Sequence, residues 1–550
     1  MEIQKIFTKH NLRILQLLEQ GPSHLREIAD KLEISPAKVH TAINIFSKHN
    51  LINEKKDKNR RVITLNTKSD LLKGLDNMLN NQQQREDTSI DLFDTISPLD
   101  FRYYGRNEKV RKKLQPYLSE QAFVQYLAKA EAALTNTLAE MKICSKEIAW
   151  EVNKAATQIT AQEVYKEEDR IKHNIRALAN AIRDRVSENA KPYVHFTTTS
   201  HDIICTADAA RCKDFALEIL VPALQQLTQS LIHLAERERN TLQIGRTHGQ
   251  HAEPITFGFA IAQYVSRVGS RIKQIQKAAK NLRGKIAGAV GAYNASTLFF
   301  DDPEDFERKV LAKMGLKPSP ISTQVVEAEY FADFMHSVTS CFGVLANLAD
   351  DMRNLQRTEI SEVAELFEAK QVGSSTMPHK RNPINFENVK SMWKVFMPRM
   401  STLYMDQISE HQRDLTNSAS QRFVTESLAG LYLSTTRLQR TMSKLVVDKP
   451  NLERNFDLHK DLITAEPAYI LLAAHGHPDA HEYVRELTLQ AQKTKKSFSE
   501  LLFKDKQIKP YLAKFNKTQL EILKKPENYT GIAASKVEKI CSFWKKELKL

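Results

Sequence analysis

Apolar positions recur at helical spacing over much of the chain. Leu217, Leu220, Leu224, Leu227, Leu231 and Leu234 follow one another at intervals of three and four, and Val338, Phe342, Leu345, Leu348, Met352 and Leu355 repeat the pattern. Such intervals place the side chains on one stripe of a long α-helix, which needs a neighbour to cover it. Pro222 falls within the first stripe and should kink that helix, because proline has no N–H to donate. Two long striped helices predict an elongated helical bundle whose outer seams other subunits could bury. Nearer the start the pattern shortens. Leu25, Ile28, Ala29 and Leu32 predict one short helix, and Val39, Ile43 and Phe46 predict a second. The second begins at Ser35-Pro36, a capping residue followed by proline at the first helical position. From Leu51 to Thr67 the chain alternates as a strand hairpin does, around the tip Lys55-Lys56-Asp57-Lys58-Asn59-Arg60-Arg61.

Composition supports a mainly α fold. Sixteen glycines and eighteen prolines among 550 residues leave long stretches without a breaker, and 41% apolar content supplies core for several domains. Five scattered cysteines form no CxxC pair, as expected of reduced thiols in a cytoplasmic protein. Neither a signal sequence nor an apolar run of about 18 residues occurs, so export and membrane spanning are not expected. The net charge of +14 divides into +5 over residues 1–80 and +9 over residues 491–550, with a balanced middle. The lysine-rich C-terminus reads as a solvated face.

The N-terminal charge coincides with a fold pattern. Residues 8–67 resemble a winged helix-turn-helix domain, in which the helix from Pro36 to about His49 would present Lys38, Thr41 and Lys48 to a major groove. Lys55, Lys56, Lys58, Arg60 and Arg61 would lie along phosphates. Such domains also serve in dimerisation and protein docking, so DNA is one of two kinds of partner implied. The polar run Asn80–Ser89 reads as a tether, giving a reader domain over 1–80 and a linker over 81–92.

Candidate chemistry concentrates in a few segments. Gly373-Ser374-Ser375-Thr376-Met377-Pro378-His379-Lys380-Arg381-Asn382-Pro383 sets hydroxyls, cations and an amide between a glycine and two prolines. Such a segment is a poor helix and a good lid over a carboxylate-bearing substrate. Gly245-Arg246-Thr247-His248-Gly249-Gln250-His251 offers a histidine suited to general acid or base work. As a metal pair, His248 and His251 lack a third ligand, and His475, His477 and His481 read as an inter-helix turn. His195-Phe196-Thr197-Thr198-Thr199-Ser200 clusters hydroxyls, while Arg413, Ser418 and Arg422 suit a phosphate. No glycine-rich phosphate loop occurs, which disfavours nucleotide hydrolysis and dinucleotide redox chemistry.

The order Arg102-Tyr103, Lys172-His173-Asn174, Thr199-Ser200, Gly245-Arg246-Thr247-His248, Ser322-Thr323-Gln324, Gly373 to Pro383 and Arg413 to Arg422 resembles adenylosuccinate lyase, of the fumarase/aspartase superfamily. The resemblance covers about residues 93–550 and implies domains over 93–205, 206–450 and 451–550. Asn174 stands where family members usually carry Asp. The resemblance implies β-elimination of fumarate from adenylosuccinate and from the succinyl-carboxamide ribotide of purine synthesis, without metal or organic cofactor. It implies Ser374 as base and His248 as acid, with His173 assisting. Lys380 and Asn382 would grip the succinyl carboxylate. Lys172, Asn174, Thr199, Ser200, Thr247, Gln324, Ser375, Arg381 and Asn388 would contact substrate, and Arg102, Tyr103, Arg413, Ser418 and Arg422 would hold its phosphate. A homotetramer with each site drawn from three subunits is also implied. Argininosuccinate lyase, or a transcription regulator built on a lyase body, are the alternatives.

Overall fold

A computed structural model of the chain describes residues 8–19, 21–57, 60–69, 91–367 and 375–550. The chain divides into two units, Met1–Phe101 and Arg102–Leu550. The predicted linker lies, up to residue 90, outside the described residues.

In the first unit, helices α1 (Lys9–Glu19), α2 (Leu25–Leu32) and α3 (Pro36–Lys48) precede the hairpin of β2 (Ile52–Asp57) and β3 (Arg60–Leu65). A two-residue strand, β1 (Ser23–His24), pairs with β3, so the antiparallel sheet runs β1-β3-β2. The pattern of apolar residues did not reveal β1, because two residues carry no period. Ile28, Ala29, Val39, Ile43 and Phe46 meet Ile14, Leu15, Leu18, Leu51, Ile52 and Ile63 in one core. Ser35 holds the cap position of α3 but makes no side-chain cap bond, so the helix start rests on Pro36. Lys38, Thr41 and Lys48 are exposed on α3, and Lys55 and Lys56 on β2. The Thr41 hydroxyl donates to the Ala37 carbonyl at 3.0 Å, and Arg61 pairs with Glu54 across the sheet. Lys58 and the Arg60 side chain lie outside what is described.

The second unit opens with α4 (Glu108–Leu118), α5 (Glu120–Glu140), α6 (Lys146–Ala156), α7 (Ala161–Ile171) and α8 (Asn174–Arg183). Next come α9 (Ser200–Phe215) and α10 (Val221–Arg237), joined without a break by a π-helical turn, Ala216–Leu220. Pro222 therefore does not end the helix. The π-turn lies immediately before it, so the regular helical bonding that Pro222 cannot complete is already interrupted there. Strands β4 (Leu242–Thr247) and β5 (Gln250–Thr256) follow, then α11 (Phe257–Lys280), α12 (Pro303–Lys313), α13 (Ala328–Leu355), α14 (Ile384–Phe396), α15 (Arg399–Met405) and α16 (Val424–Met442). Helix α10 packs on α11, α11 on α13, α13 on α14, α14 on α16 and α16 back on α10, a closed bundle. Both predicted stripes face into it. Leu220, Leu224, Leu227, Leu231 and Leu234 are buried, as are Val338, Phe342, Leu345, Leu348 and Met352. The leucine seam is thus covered inside one chain and is not a surface left for another subunit. Beyond α16 the shorter C-terminal helices share their own core around Leu472, Val484, Phe498 and Leu523. Among the described residues no helix is long and apolar enough to cross a membrane.

Candidate active site

His248 stands at the tip of a hairpin. Strands β4 and β5 are joined by His248-Gly249, with φ of 54° and 76°, the two-residue left-handed turn whose twist matches paired strands. The base of this hairpin is locked. Ile244 is buried against Phe456 and Ile463, and the fully buried Glu362 collects three polar side chains. Arg246 Nη2 donates to Glu362 Oε1 at 2.6 Å, Gln243 Nε2 to Oε2 at 2.7 Å and Asn455 Nδ2 to Oε1 at 2.9 Å. Thr247 and His248 are exposed above this anchor. A buried carboxylate that is fully paired fixes a hairpin more firmly than propensity alone would. His251 turns to His459, with their Nδ1 atoms 3.1 Å apart. Burial and the nearby Arg246 cation push the His251 imidazole below its ordinary pKa. The other histidine group is spread among aromatic rings: His475 packs on Phe515, His477 on Tyr483 and Tyr511, and His481 on Tyr469.

Thr199 and Ser200 begin α9 and are positioned by a second buried carboxylate. Thr199 and Asp202 form a reciprocal capping box, the Thr199 N–H donating to Asp202 Oδ2 at 2.8 Å. Asp202 also takes the Ala287 N–H at 3.0 Å and pairs with Lys285, and both members of that pair are fully buried. The loop before α9 is twisted, with His195 and Thr197 at φ of 62° and 60°. His195 is fastened to the buried Glu131, its N–H at 3.0 Å and Nδ1 at 2.7 Å from the two carboxylate oxygens. Burial pushes the His201 imidazole down to about 3, assisted by the Arg413 and Lys285 cations. Thr197 Oγ1, Thr198 Oγ1, His201 Nδ1 and Arg413 Nη1 are buried atoms with no partner among the described residues. Unpaired donors of this kind are costly unless a ligand satisfies them.

At the α7–α8 junction, Lys172 closes α7 in the left-handed conformation and His173 caps α8. His173 Nδ1 accepts the Arg176 N–H at 3.2 Å, which leaves Nε2 as the protonated nitrogen of the neutral ring. Asn174 Oδ1 accepts the N–H of Ile175 at 2.8 Å, so its side-chain oxygen is engaged at the helix start.

The expected phosphate-binding residues separate into two places. Arg102 and Tyr103 line a cavity of about 730 Å³ with Asn388, whose Nδ2 donates to the Tyr103 hydroxyl at 3.1 Å. Arg413 lines a different cavity of about 110 Å³ beside Cys205 and Asn417, and the two share no lining residue. Ser418 and Arg422 are exposed. Along the expected lid, Ser375, Lys380 and Arg381 are exposed and Asn382 is half-buried, while Ser374 lies outside the described residues. The lid's far end is tied down. Buried Glu365 accepts Asn385 N–H at 2.9 Å, Asn385 Nδ2 at 2.6 Å and Phe386 N–H at 3.1 Å, and the Arg381 carbonyl accepts Gln356 Nε2 at 3.1 Å. Burial pushes the Glu365 carboxyl up. Gln324 is half-buried in the loop before α13.

Sequence reasoning missed the carboxylates that hold these pieces. Asp202 had a signal, lying three residues after Thr199 in a capping-box pattern. Glu131, Glu362 and Glu365 had none, being single acids whose partners are distant in sequence.

Residues 80–397 match the family model described as Lyase, and residues 409–530 match that of the adenylosuccinate lyase C-terminal region. The chain is 33% identical to the adenylosuccinate lyase of Archaeoglobus fulgidus over 82% of its own length and 100% of that protein's. The chain belongs to the adenylosuccinate lyase family. Another adenylosuccinate lyase, from Pyrococcus abyssi, is 36% identical over 82% of this chain and 98% of its own. The fold is shared with a fumarate lyase from Mesorhizobium sp. BNC1, at a TM-score of 0.68, 22% identity, and coverage of 78% of this chain and 97% of that one. It is shared too with 3-carboxy-cis,cis-muconate lactonizing enzyme from Pseudomonas putida, at a TM-score of 0.69, 22% identity, and coverage of 79% and 97% respectively. The chain is thus an adenylosuccinate lyase of purine biosynthesis, acting on small-molecule substrates. Most of the first unit precedes both family matches.

Proposed function

We propose that this lyase eliminates fumarate from adenylosuccinate, giving AMP, and from the succinyl-carboxamide ribotide, giving its carboxamide. Ser374 takes the proton from the carbon beside the succinyl carboxylate, the C–N bond breaks, and His248 protonates the leaving nitrogen. Negative charge built on the carboxylate is met by Lys380 and Asn382 as the lid closes. Lys172, Asn174, Thr199, Ser200, Thr247, Gln324, Ser375, Arg381 and Asn388 contact the substrate, His173 assists near the leaving group, and Arg102, Tyr103, Arg413, Ser418 and Arg422 hold the phosphate. What carries this reading is His248 itself, an exposed imidazole on a turn whose base is clamped by Glu362. Fumarate release from adenylosuccinate, followed by absorbance, tests it. Ser374→Ala and His248→Gln should each lower kcat by roughly a hundredfold or more. Wild-type activity in either variant would remove that residue from the mechanism, and turnover of argininosuccinate alone would overturn the substrate.

A second reading concerns the first unit. Its helices and β1-β3-β2 sheet suit a winged helix, and exposed Lys38, Thr41, Lys55 and Lys56 suit phosphate and groove contacts. On this reading the enzyme also binds DNA. Gel shifts on purine-gene promoters should show binding by the full chain, steeply weakened by salt, and none by a chain starting at Ile90. Equal binding by both, or by neither, rejects it.

A further inference from the structure

The cavity around Arg102 carries more positive charge than a substrate phosphate requires. A phosphate monoester brings up to two negative charges near neutral pH. The wall holds Arg102, Arg106, Lys109, Lys113, Arg437 and Arg440, and among the described residues no carboxylate lines it. Lys109 and Lys113 are four apart on α4, and Arg437 and Arg440 three apart on α16, so two helices turn cationic faces to one space. Arg437 spends one nitrogen on Asn385 Oδ1 at 2.9 Å, while the other five form no ion pair among the described residues. Burial, and then Arg440 beside it, pull the Arg437 guanidinium below its ordinary pKa. Ser434 adds an independent sign. It lines the same cavity, is only 2% exposed, and its hydroxyl has no partner among the described residues. Like charges assembled around an unfilled hydroxyl repel one another unless an anion sits between them.

We propose that this cavity binds a polyphosphate group, with one phosphate at Arg102 and Tyr103 and the following ones reaching Lys109, Lys113 and Arg440. The inference rests on the proposed role of Arg102 and Tyr103 in holding substrate phosphate, and it adds regulation of that site: a bound polyphosphate excludes the substrate. The volume, about 730 Å³, falls in the range of small-molecule sites and leaves room beyond a single phosphate.

Calorimetry on the full-length enzyme with inorganic tripolyphosphate, ATP and AMP reads this directly, without turnover. Tripolyphosphate or ATP should bind at least about tenfold more tightly than AMP, since each further charge-assisted contact is worth about that factor. If both bind alike the source is any polyphosphate, and if ATP binds tighter the source is a nucleoside triphosphate. Lys109→Gln with Lys113→Gln removes two exposed charges and leaves the core untouched. That double variant should weaken tripolyphosphate binding about tenfold per lysine and leave AMP binding and basal kcat unchanged. In the wild type ATP should raise the KM for adenylosuccinate and leave kcat alone. The proposal is overturned if AMP binds as tightly as ATP, or if the double variant binds tripolyphosphate as well as wild type. Tripolyphosphate binding in an enzyme that releases no fumarate would instead overturn the substrate reading alone.

Discussion

Buried charge decides the chemistry at single residues, and His201 shows how. It follows Ser200 in the first turn of α9, the helix start held by Asp202, and its imidazole is pushed down to about 3, so the folded protein keeps it neutral. The unfolded chain protonates it near pH 6.5. Between those values the unfolded state binds the extra proton, so the contribution of His201 to stability falls as pH drops below 6.5. At the limiting slope this reaches about 2 kcal/mol by pH 5. His201→Gln removes that penalty, so the variant should gain on wild type by roughly this amount between pH 7.5 and pH 5, measured as urea midpoints. An unchanged gap would mean that His201 is hydrated and titrates normally. His195 works in the opposite sense. Burial disfavours its charge, but Glu131 outweighs this and raises its pKa, so its stabilisation is complete below pH 6.5 and fades as pH rises through the folded value. Present in both proteins, it cancels in the comparison.

At the scale of elements, loops are shaped by contacts that helical periodicity does not report. The stripes from Leu220 to Leu234 and from Val338 to Met352 were legible because long helices repeat a period many times. The β4–β5 hairpin was not. Its strands carry Arg246, His251 and Glu253 among apolar residues, and Glu362, which holds it, lies more than a hundred residues away. The motif residues Thr247 and His248 were readable as chemistry before they were readable as structure. Two glycines separate the two ways a loop can depend on its backbone. Gly249 has φ of +76° with nothing within 4 Å of an added Cβ, so Gly249→Ala meets only conformational strain, about 1 kcal/mol. Gly291 has φ of +77°, and an added Cβ would fall 1.9 Å from the Ser322 carbonyl oxygen. Gly291→Ala must move the Ser322–Gln324 loop, and should cost more than about 3 kcal/mol in chemical denaturation. The order of the two variants is the test. If Gly249→Ala were the more damaging, the turn would be carrying a contact that the fold does not show.

At the scale of the whole molecule, the placement of the phosphate residues bears on assembly. Arg102 and Tyr103 line one cavity and Arg413 another, with no lining residue in common, although the proposed mechanism asks them to hold the same phosphate. A symmetric oligomer resolves this if each site takes Arg102 from one subunit and Arg413 from a second. The leucine seam gives no help here, being buried inside the chain. The exposed Met405, Ile408 and Leu415, on the segment leading to and around Arg413, are better placed to meet another subunit. Subunit mixing separates the arrangements. Arg102→Ala and Arg413→Ala homo-oligomers should each be nearly inactive, since a guanidinium lost from a phosphate site removes a charge-assisted pair. When the two are dissociated, mixed equally and reassociated, about one site in four should draw both intact arginines from different subunits. Activity should then rise from near zero toward that fraction of wild type. If it stays at the level of the separate variants, each phosphate site is completed within one chain, and lid closure would have to bring Arg102 and Arg413 together instead.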